Sequence, residues 1–189
     1  MSMVLNPNLH PGHKSLRLPY RDYTAAGMYF VTICTYDRLP TLARVVNAKV
    51  ELTPVGEITQ ACWSEISLHY PQIVLHAFVV MPNHIHGLLQ LAPLVARPSK
   101  PDTSRRDFGP DSVPPASLSA VVRSFKSAVT KRVRERLRMT TDLWERNYFE
   151  RTIRSGKEFD DTTQYIIENA LKWEMDKENP DGAKTLSSR

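Results

Sequence analysis

Cysteine is nearly absent from this chain of 189 residues: Cys34 and Cys62 stand alone, with no Cys-x-x-Cys spacing. They support neither a disulfide framework nor a cysteine-rich zinc site, and a reducing compartment is the simpler expectation. Nowhere do about 18 apolar residues run together, and Pro7, Pro11 and Pro19 interrupt the N-terminal stretch that a signal peptide would need to keep apolar. The expectation is a cytoplasmic protein with no membrane partner. Glycine is scarce, seven residues in all, and none forms a GxxxxGK or GxGxxG loop, which argues against nucleotide-driven motors and Rossmann dehydrogenases. No repeat recurs at a period of about 20 to 50 residues.

What is present suits one globular domain. Hydrophobic residues make up 41% and charged residues 24% of the chain, enough apolar material for a core. Lys and Arg number 25 against 20 Asp and Glu, and the resulting +5 tilts the expectation toward a polyanionic partner.

Residues 1–27 read as an irregular arm carrying Lys14, Arg17 and Arg21; residues 28–176 read as a single domain, and 177–189 as a tail. Met28 to Tyr36 is rich in β-branched and aromatic residues and predicts a strand; Lys49 to Leu52 predicts a second, short one. Thr53 with Pro54 signals a helix start, and Val55, Ile58, Cys62 and Ile66 continue at helical spacing through Tyr70. Ile73 to Met81 is almost unbroken apolar sequence, as in a strand covered on both sides. Pro82 and Asn83 turn the chain into another strand, His84 to Leu91, so the two form a hairpin expected at the centre of a sheet.

Residues 92–115 hold six of the fourteen prolines with Arg97, Lys100, Arg105 and Arg106, the composition of an exposed loop. Ser117 then opens a helix whose stripe is Leu118, Val121, Val122, Phe125, Val129 and Val133, with Arg123, Lys131, Arg134 and Arg138 on the other side. Leu143 to Thr152 reads as extended. Ser155 and Glu158 form a capping-box pattern starting a last helix that runs to about Asp176. This order predicts an α+β fold, an antiparallel sheet with helices packed against it, in ferredoxin-like topology.

The chemistry concentrates in Met81-Pro82-Asn83-His84-Ile85-His86-Gly87-Leu88-Leu89. Side chains at i and i+2 of a strand share a face, so His84 and His86 come close enough to grip one cation, with a third ligand needed from elsewhere. A bare His-x-His is equally compatible with two hydrogen-bonded edge histidines, and His76 reads as structural. On the last helix Phe159, Ile166, Ala170 and Trp173 form the apolar stripe, while Tyr165 and Asn169 share a flank one turn apart. A tyrosine placed there with a polar amide beside it suits a nucleophile next to a metal ligand, or an ordinary boundary tyrosine; Tyr148 is its rival. Two imidazoles and an amide oxygen suit Mn²⁺ and tolerate Mg²⁺.

These residues carry a resemblance. The sequence is similar to the IS200-like Y1 transposase family of the HUH endonuclease superfamily, and within it to the REP-associated tyrosine transposases. The matching stretches are Arg17-Leu18-Pro19-Tyr20, Gly27 to Thr32, Met81 to Leu89, Leu143 to Glu150, and Tyr165-Ile166-Ile167-Glu168-Asn169, so the likeness spans Arg17 to Trp173. The resemblance implies a metal-dependent endonuclease and strand transferase on single-stranded DNA, often a hairpin, acting without ATP through a 5′-phosphotyrosine. It further implies that His84 and His86 are metal ligands, that Tyr165 is the nucleophile, and that Asn169 is the third ligand. One departure stands out: the family commonly has Asn-Pro where this chain has Asn169-Ala170, and alanine favours helix continuation.

For the DNA backbone, Arg123, Lys126, Lys131, Arg134 and Arg138, with Arg105 and Arg106 of the loop, form the expected basic track. A solvated helix face is the plainer account of the same charges. Tyr20, Tyr23 and Tyr29 are candidates for stacking on unpaired bases, with core burial equally open for Tyr29. The alternative to an enzyme is a regulator of the same fold that binds DNA without cutting it. A histidine-triad hydrolase would need histidine where Leu88 stands. Monomer and homodimer are both compatible with the sequence.

Overall fold

Among residues 26–93 and 117–173, which the computed structural model describes, the chain forms six strands and four α-helices, with a short 3₁₀ turn at Tyr36–Arg38. In order they are β1 (Gly27–Cys34), β2 (Ala43–Val46), β3 (Lys49–Leu52), α1 (Pro54–Ser64), α2 (Ile66–His69), β4 (Ile73–Val80), β5 (His84–Leu91), α3 (Leu118–Leu137), β6 (Phe149–Ile153) and α4 (Gly156–Ile167). The arm before residue 26, the loop 94–116 with Arg105 and Arg106, and the tail from 174 lie outside the described residues, as do Tyr20 and Tyr23.

Side-chain caps start the helices where the sequence placed them. The Thr53 hydroxyl accepts the Gly56 N–H at 3.1 Å, Ser117 accepts that of Ala120 at 3.2 Å, and Ser155 accepts that of Glu158 at 3.2 Å. Each satisfies one of the orphan donors of a first helical turn. The expected capping box is offset by one residue, because the Glu158 carboxylate accepts the N–H of Arg154 at 2.9 Å.

The main sheet runs β4-β5-β1-β6 with every neighbouring pair antiparallel. With α1 between β1 and β4, and α3 between β5 and β6, this is the expected α+β, ferredoxin-like arrangement. Alternation assigns its two faces. Tyr29, Val31 and Ile33 of β1 and Ile85, Leu89 and Leu91 of β5 join Ile58 and Trp63 of α1 and Val121, Phe125 and Val129 of α3 in the main core. The intervening residues face the other way, where Leu88 and Ile153 meet Ile166 of α4, flanked by Phe30 and Phe159. Tyr29 is thus a core residue, 3% exposed, and offers no stacking platform.

Four expectations are corrected. β4 is an edge strand of the main sheet; β5 and β1 occupy its centre. A bulge between Leu75 and Phe78 reverses the alternation of β4, so Ile73, Leu75, Phe78 and Val80 reach the main core while Ala77 and Val79 turn to the α4 side. An unbroken apolar run is therefore serving two faces of an edge strand. The helix expected to continue through Tyr70 breaks at Glu65, whose two carboxylate oxygens accept from Nη1 and Nη2 of Arg132. The last helix ends at Ile167 rather than about Asp176; the Asn169 N–H turns back to Ile166 O in a tighter, i to i+3 closure, a position at which asparagine competes with helix. Of the extended stretch 143–152, Phe149 onward joins the sheet, and Trp144 makes one isolated bridge to Thr35.

Gly87 locks β5 to α1, since a Cβ there would collide with the Trp63 indole, itself stacked on Phe78 with centroids 4.5 Å apart. Replacing Gly87 by Ala should cost about 1–3 kcal/mol of overpacking, read as a lowered urea midpoint. An unchanged midpoint would mean that the indole gives way freely.

Candidate active site

Period-2 alternation places His84 and His86 on the α4 face, together with Leu88 and opposite the face occupied by Ile85 and Gly87. Both imidazoles are buried, His84 completely and His86 to 3% exposure. Their Nε2 atoms lie 3.1 Å apart. Tyr165, in the last turn of α4, brings its phenol oxygen to 3.3 Å from His86 Nε2 while the residue remains 38% exposed. Phe30 of β1 packs against both partners, 5.1 Å from the His86 ring and 6.1 Å from the Tyr165 ring.

The outer nitrogens decide which protons the pair carries. His84 Nδ1 meets Asn83 Oδ1 at 2.9 Å, and a carboxamide oxygen only accepts, so Nδ1 bears the hydrogen and Nε2 presents its lone pair. His86 Nδ1 meets the Thr32 hydroxyl at 2.9 Å, and a hydroxyl both donates and accepts. One tautomer is therefore fixed, and the other can be exchanged without breaking its hydrogen bond. Burial, then the neighbouring His86 and Arg38, push the His84 pKa down to about 2, which keeps this imidazole neutral, the form that binds metals.

The residues fit a divalent cation. Two imidazole nitrogens converge, each ring oriented from behind by a hydrogen-bonding partner. Asn169, in the turn that follows α4, is 1% exposed and its Oδ1 has no hydrogen-bond partner, so a buried oxygen donor is left over. Among the described residues no three His, Cys, Asp or Glu side chains cluster for a metal, so any further donor beside the imidazoles would be a neutral oxygen such as that of Asn169.

Known proteins share this sequence and fold. An "uncharacterized protein" of Haemophilus influenzae is 31% identical over 177 residues, covering 93% of this chain and 97% of that one. A "putative REP-associated tyrosine transposase" of the same organism is 24% identical over 161 residues, covering 80% of this chain and 74% of its own length. The solved structure of a REP-associated tyrosine transposase bound to a REP hairpin shares the fold, with a TM-score of 0.55, 20% identity, and coverage of 83% of this chain and 74% of that one. No family model matches the chain. The chain is thus similar in sequence to a putative REP-associated tyrosine transposase and shares the fold of a solved one.

In this transposase-like fold the rival Tyr148 lies on the wrong side: it packs against the main core and its hydroxyl contacts Ser119 Oγ of α3 at 3.1 Å. The basic helix is also remote from the imidazoles, because α3 covers the opposite face of the sheet. Arg123, Lys131, Arg134 and Arg138 are exposed there, Lys131 with Glu135 at 3.9 Å. Lys126 differs: its ammonium donates to the backbone oxygens of Glu145 and Arg146, and burial lowers its pKa. It is a strut for the segment at 145–146. No helix among the described residues is long and apolar enough to cross a membrane.

Sequence reasoning passed over Thr32, Asn83 and Phe30. Asn83 directly precedes His84, and Thr32 pairs with His86 across β1 and β5, so a register would have found both. In metal-free protein, stability should fall as pH drops below about 6.5, because the unfolded chain takes up a proton at His84 that the folded chain refuses down to about 2. One such proton corresponds to at most about 1.4 kcal/mol per pH unit. Chemical denaturation between pH 7 and 5 should show this slope in wild type and a shallower one in His84→Gln; equal slopes would refute it.

Proposed function

We propose that this transposase-like protein is a divalent-cation-dependent, single-tyrosine endonuclease and strand transferase acting on single-stranded DNA, hairpins in particular. The observation that carries the reading is the approach of the Tyr165 phenol to the converging Nε2 atoms of His84 and His86. The hairpin-bound REP-associated transposase of the same fold supports the substrate class.

In this reading His84, His86 and the Asn169 oxygen hold Mg²⁺ or Mn²⁺. When bound, such a cation neutralises charge on the non-bridging phosphate oxygens and polarises the phosphorus. The chain's own residues do the rest. Phe30 and the end of α4 aim the phenol, an alcohol of reference pKa near ~10 that must lose its proton to attack. Its partial exposure lets that proton leave to water. The phenolate oxygen bonds to phosphorus as the bond to the 3′ oxygen breaks, giving a 5′-phosphotyrosine and, after protonation, a free 3′-hydroxyl. Attack by a 3′-hydroxyl on the phosphotyrosine reverses the step and joins strands.

Incubating the protein with labelled single-stranded hairpin oligonucleotides and Mn²⁺ should yield an SDS-resistant adduct that maps to Tyr165. Tyr165→Phe should abolish it while leaving the urea midpoint within about 0.5 kcal/mol of wild type, and His84→Ala should lose it as well. An adduct that survives Tyr165→Phe would move the nucleophile; tight binding with no adduct would leave a non-cutting regulator.

The exposed cations of α3 are proposed to hold the DNA backbone away from the cleavage face. Reversing Arg123 and Arg134 to Glu should weaken binding and flatten its salt dependence, whereas Lys126→Met should lower stability more than it alters the salt slope. Unaltered affinity in the double reversal would remove α3 from the interface.

A further inference from the structure

A second cation stands on the same face as the imidazoles, and neither the motif nor the basic helix accounts for it. Arg151 lies on β6 directly opposite Phe30 of β1 in the sheet register. Its guanidinium carbon sits 5.9 Å from the Phe30 ring centroid, and Nη2 donates to the Thr162 hydroxyl of α4 at 2.9 Å. Thr162 is buried, 3% exposed, and lies three residues before Tyr165 on the same helix. Phe30 is therefore a common wall: His86, Tyr165 and Arg151 all pack on its ring.

The guanidinium is held but not neutralised. Arg151 is exposed, and no carboxylate among the described residues lies within ion-pair distance of it. One N–H is used on Thr162 and the guanidinium carbon lies over the Phe30 ring, while the residue as a whole is exposed, so donors remain for an anion from solvent. An arginine restrained this way loses little further freedom on meeting an anion, and its planar fork matches phosphate oxygens.

We propose that Arg151 is a phosphate-contacting residue of the cleavage site, gripping the DNA phosphodiester next to the one presented to Tyr165. This rests on the single-stranded DNA reading above, and names a part of that site which the His-x-His motif and the tyrosine helix leave unassigned. It would fix the strand on the β6 side, while the imidazoles and Asn169 occupy the β5 side.

The test is fluorescence anisotropy with 5′-fluorescein-labelled (dT)20 and a labelled hairpin oligonucleotide, without divalent cations, across a salt series. Arg151→Gln should weaken binding about tenfold at low salt, the scale of one charge-assisted hydrogen bond. It should also reduce the slope of log affinity against log salt by about 0.7, the value for one single-strand phosphate no longer neutralised. Arg151→Lys should keep most of the slope. Arg154→Gln, three residues on and outside the Phe30 cluster, removes the same formal charge and should change affinity less than threefold. A purely structural role for Arg151 would lower the urea midpoint and leave the salt slope intact, which would overturn the proposal, as would equal weakening in the Arg151 and Arg154 variants. If wild type binds neither probe, the single-stranded DNA reading itself fails, and this inference with it.

Discussion

The site depends on one constraint, the two-residue alternation of β5 in the middle of a sheet covered on both faces. Every odd position from Ile85 to Leu91 serves the packing beneath α1 and α3, with Gly87 kept bare by the Trp63 indole. Every even position from His84 to Leu88 faces α4. The register against β1 then sets Thr32 behind His86, and the turn residue Asn83 sits behind His84. The imidazoles are thus carried by a strand whose placement is enforced by apolar packing on the opposite side of the sheet, and Thr32 and Asn83 then fix the rings from behind.

The electrostatics of the pair follow from that burial. Burial first, and then the imidazole whose Nε2 lies 3.1 Å away, hold the His84 ring neutral. The asymmetry between a carboxamide partner and a hydroxyl partner adds a second property: His84 is committed to one tautomer and His86 is not. The bonds from behind each ring, to Asn83 and to Thr32, would survive a change of partner at the Nε2 atoms, since Thr32 accepts as readily as it donates.

Much of this was legible in the residues. Thr53, Ser117 and Ser155 are caps whose hydroxyls find the expected N–H groups, and β5 runs from His84 to Leu91 as alternation and the Pro82-Asn83 turn indicate. What escaped was set by contacts distant in sequence. The bulge at Leu75–Phe78 is invisible in an apolar run, because apolar residues satisfy either face. β2 went unnoticed because its hairpin turns through Asn47 and Ala48, both at positive φ, where alanine gives no turn signal of the kind glycine would. The early end of α4 was masked by Ala170, a helix former, and by a stripe that continues to Trp173. At the site, the spacing gave His84, His86 and Tyr165, whereas Thr32 and Phe30 required the pairing of β1 with β5, and Arg151 that of β1 with β6.

The two faces of the sheet are unequally anchored. The imidazoles belong to a strand fastened by the large core under α1 and α3, while α4 rests on the smaller cluster of Leu88, Ile153 and Ile166 with the partly buried Met28, Phe30, Ala77, Val79 and Phe159, and Ile167 is left exposed. Local opening draws on the layer with the fewest buried contacts. The protein consequently separates rigidity from reach: the nitrogens stay where the strand puts them, and the phenol rides on the layer that opens more readily, so the two halves of the site can part without unfolding the platform beneath them.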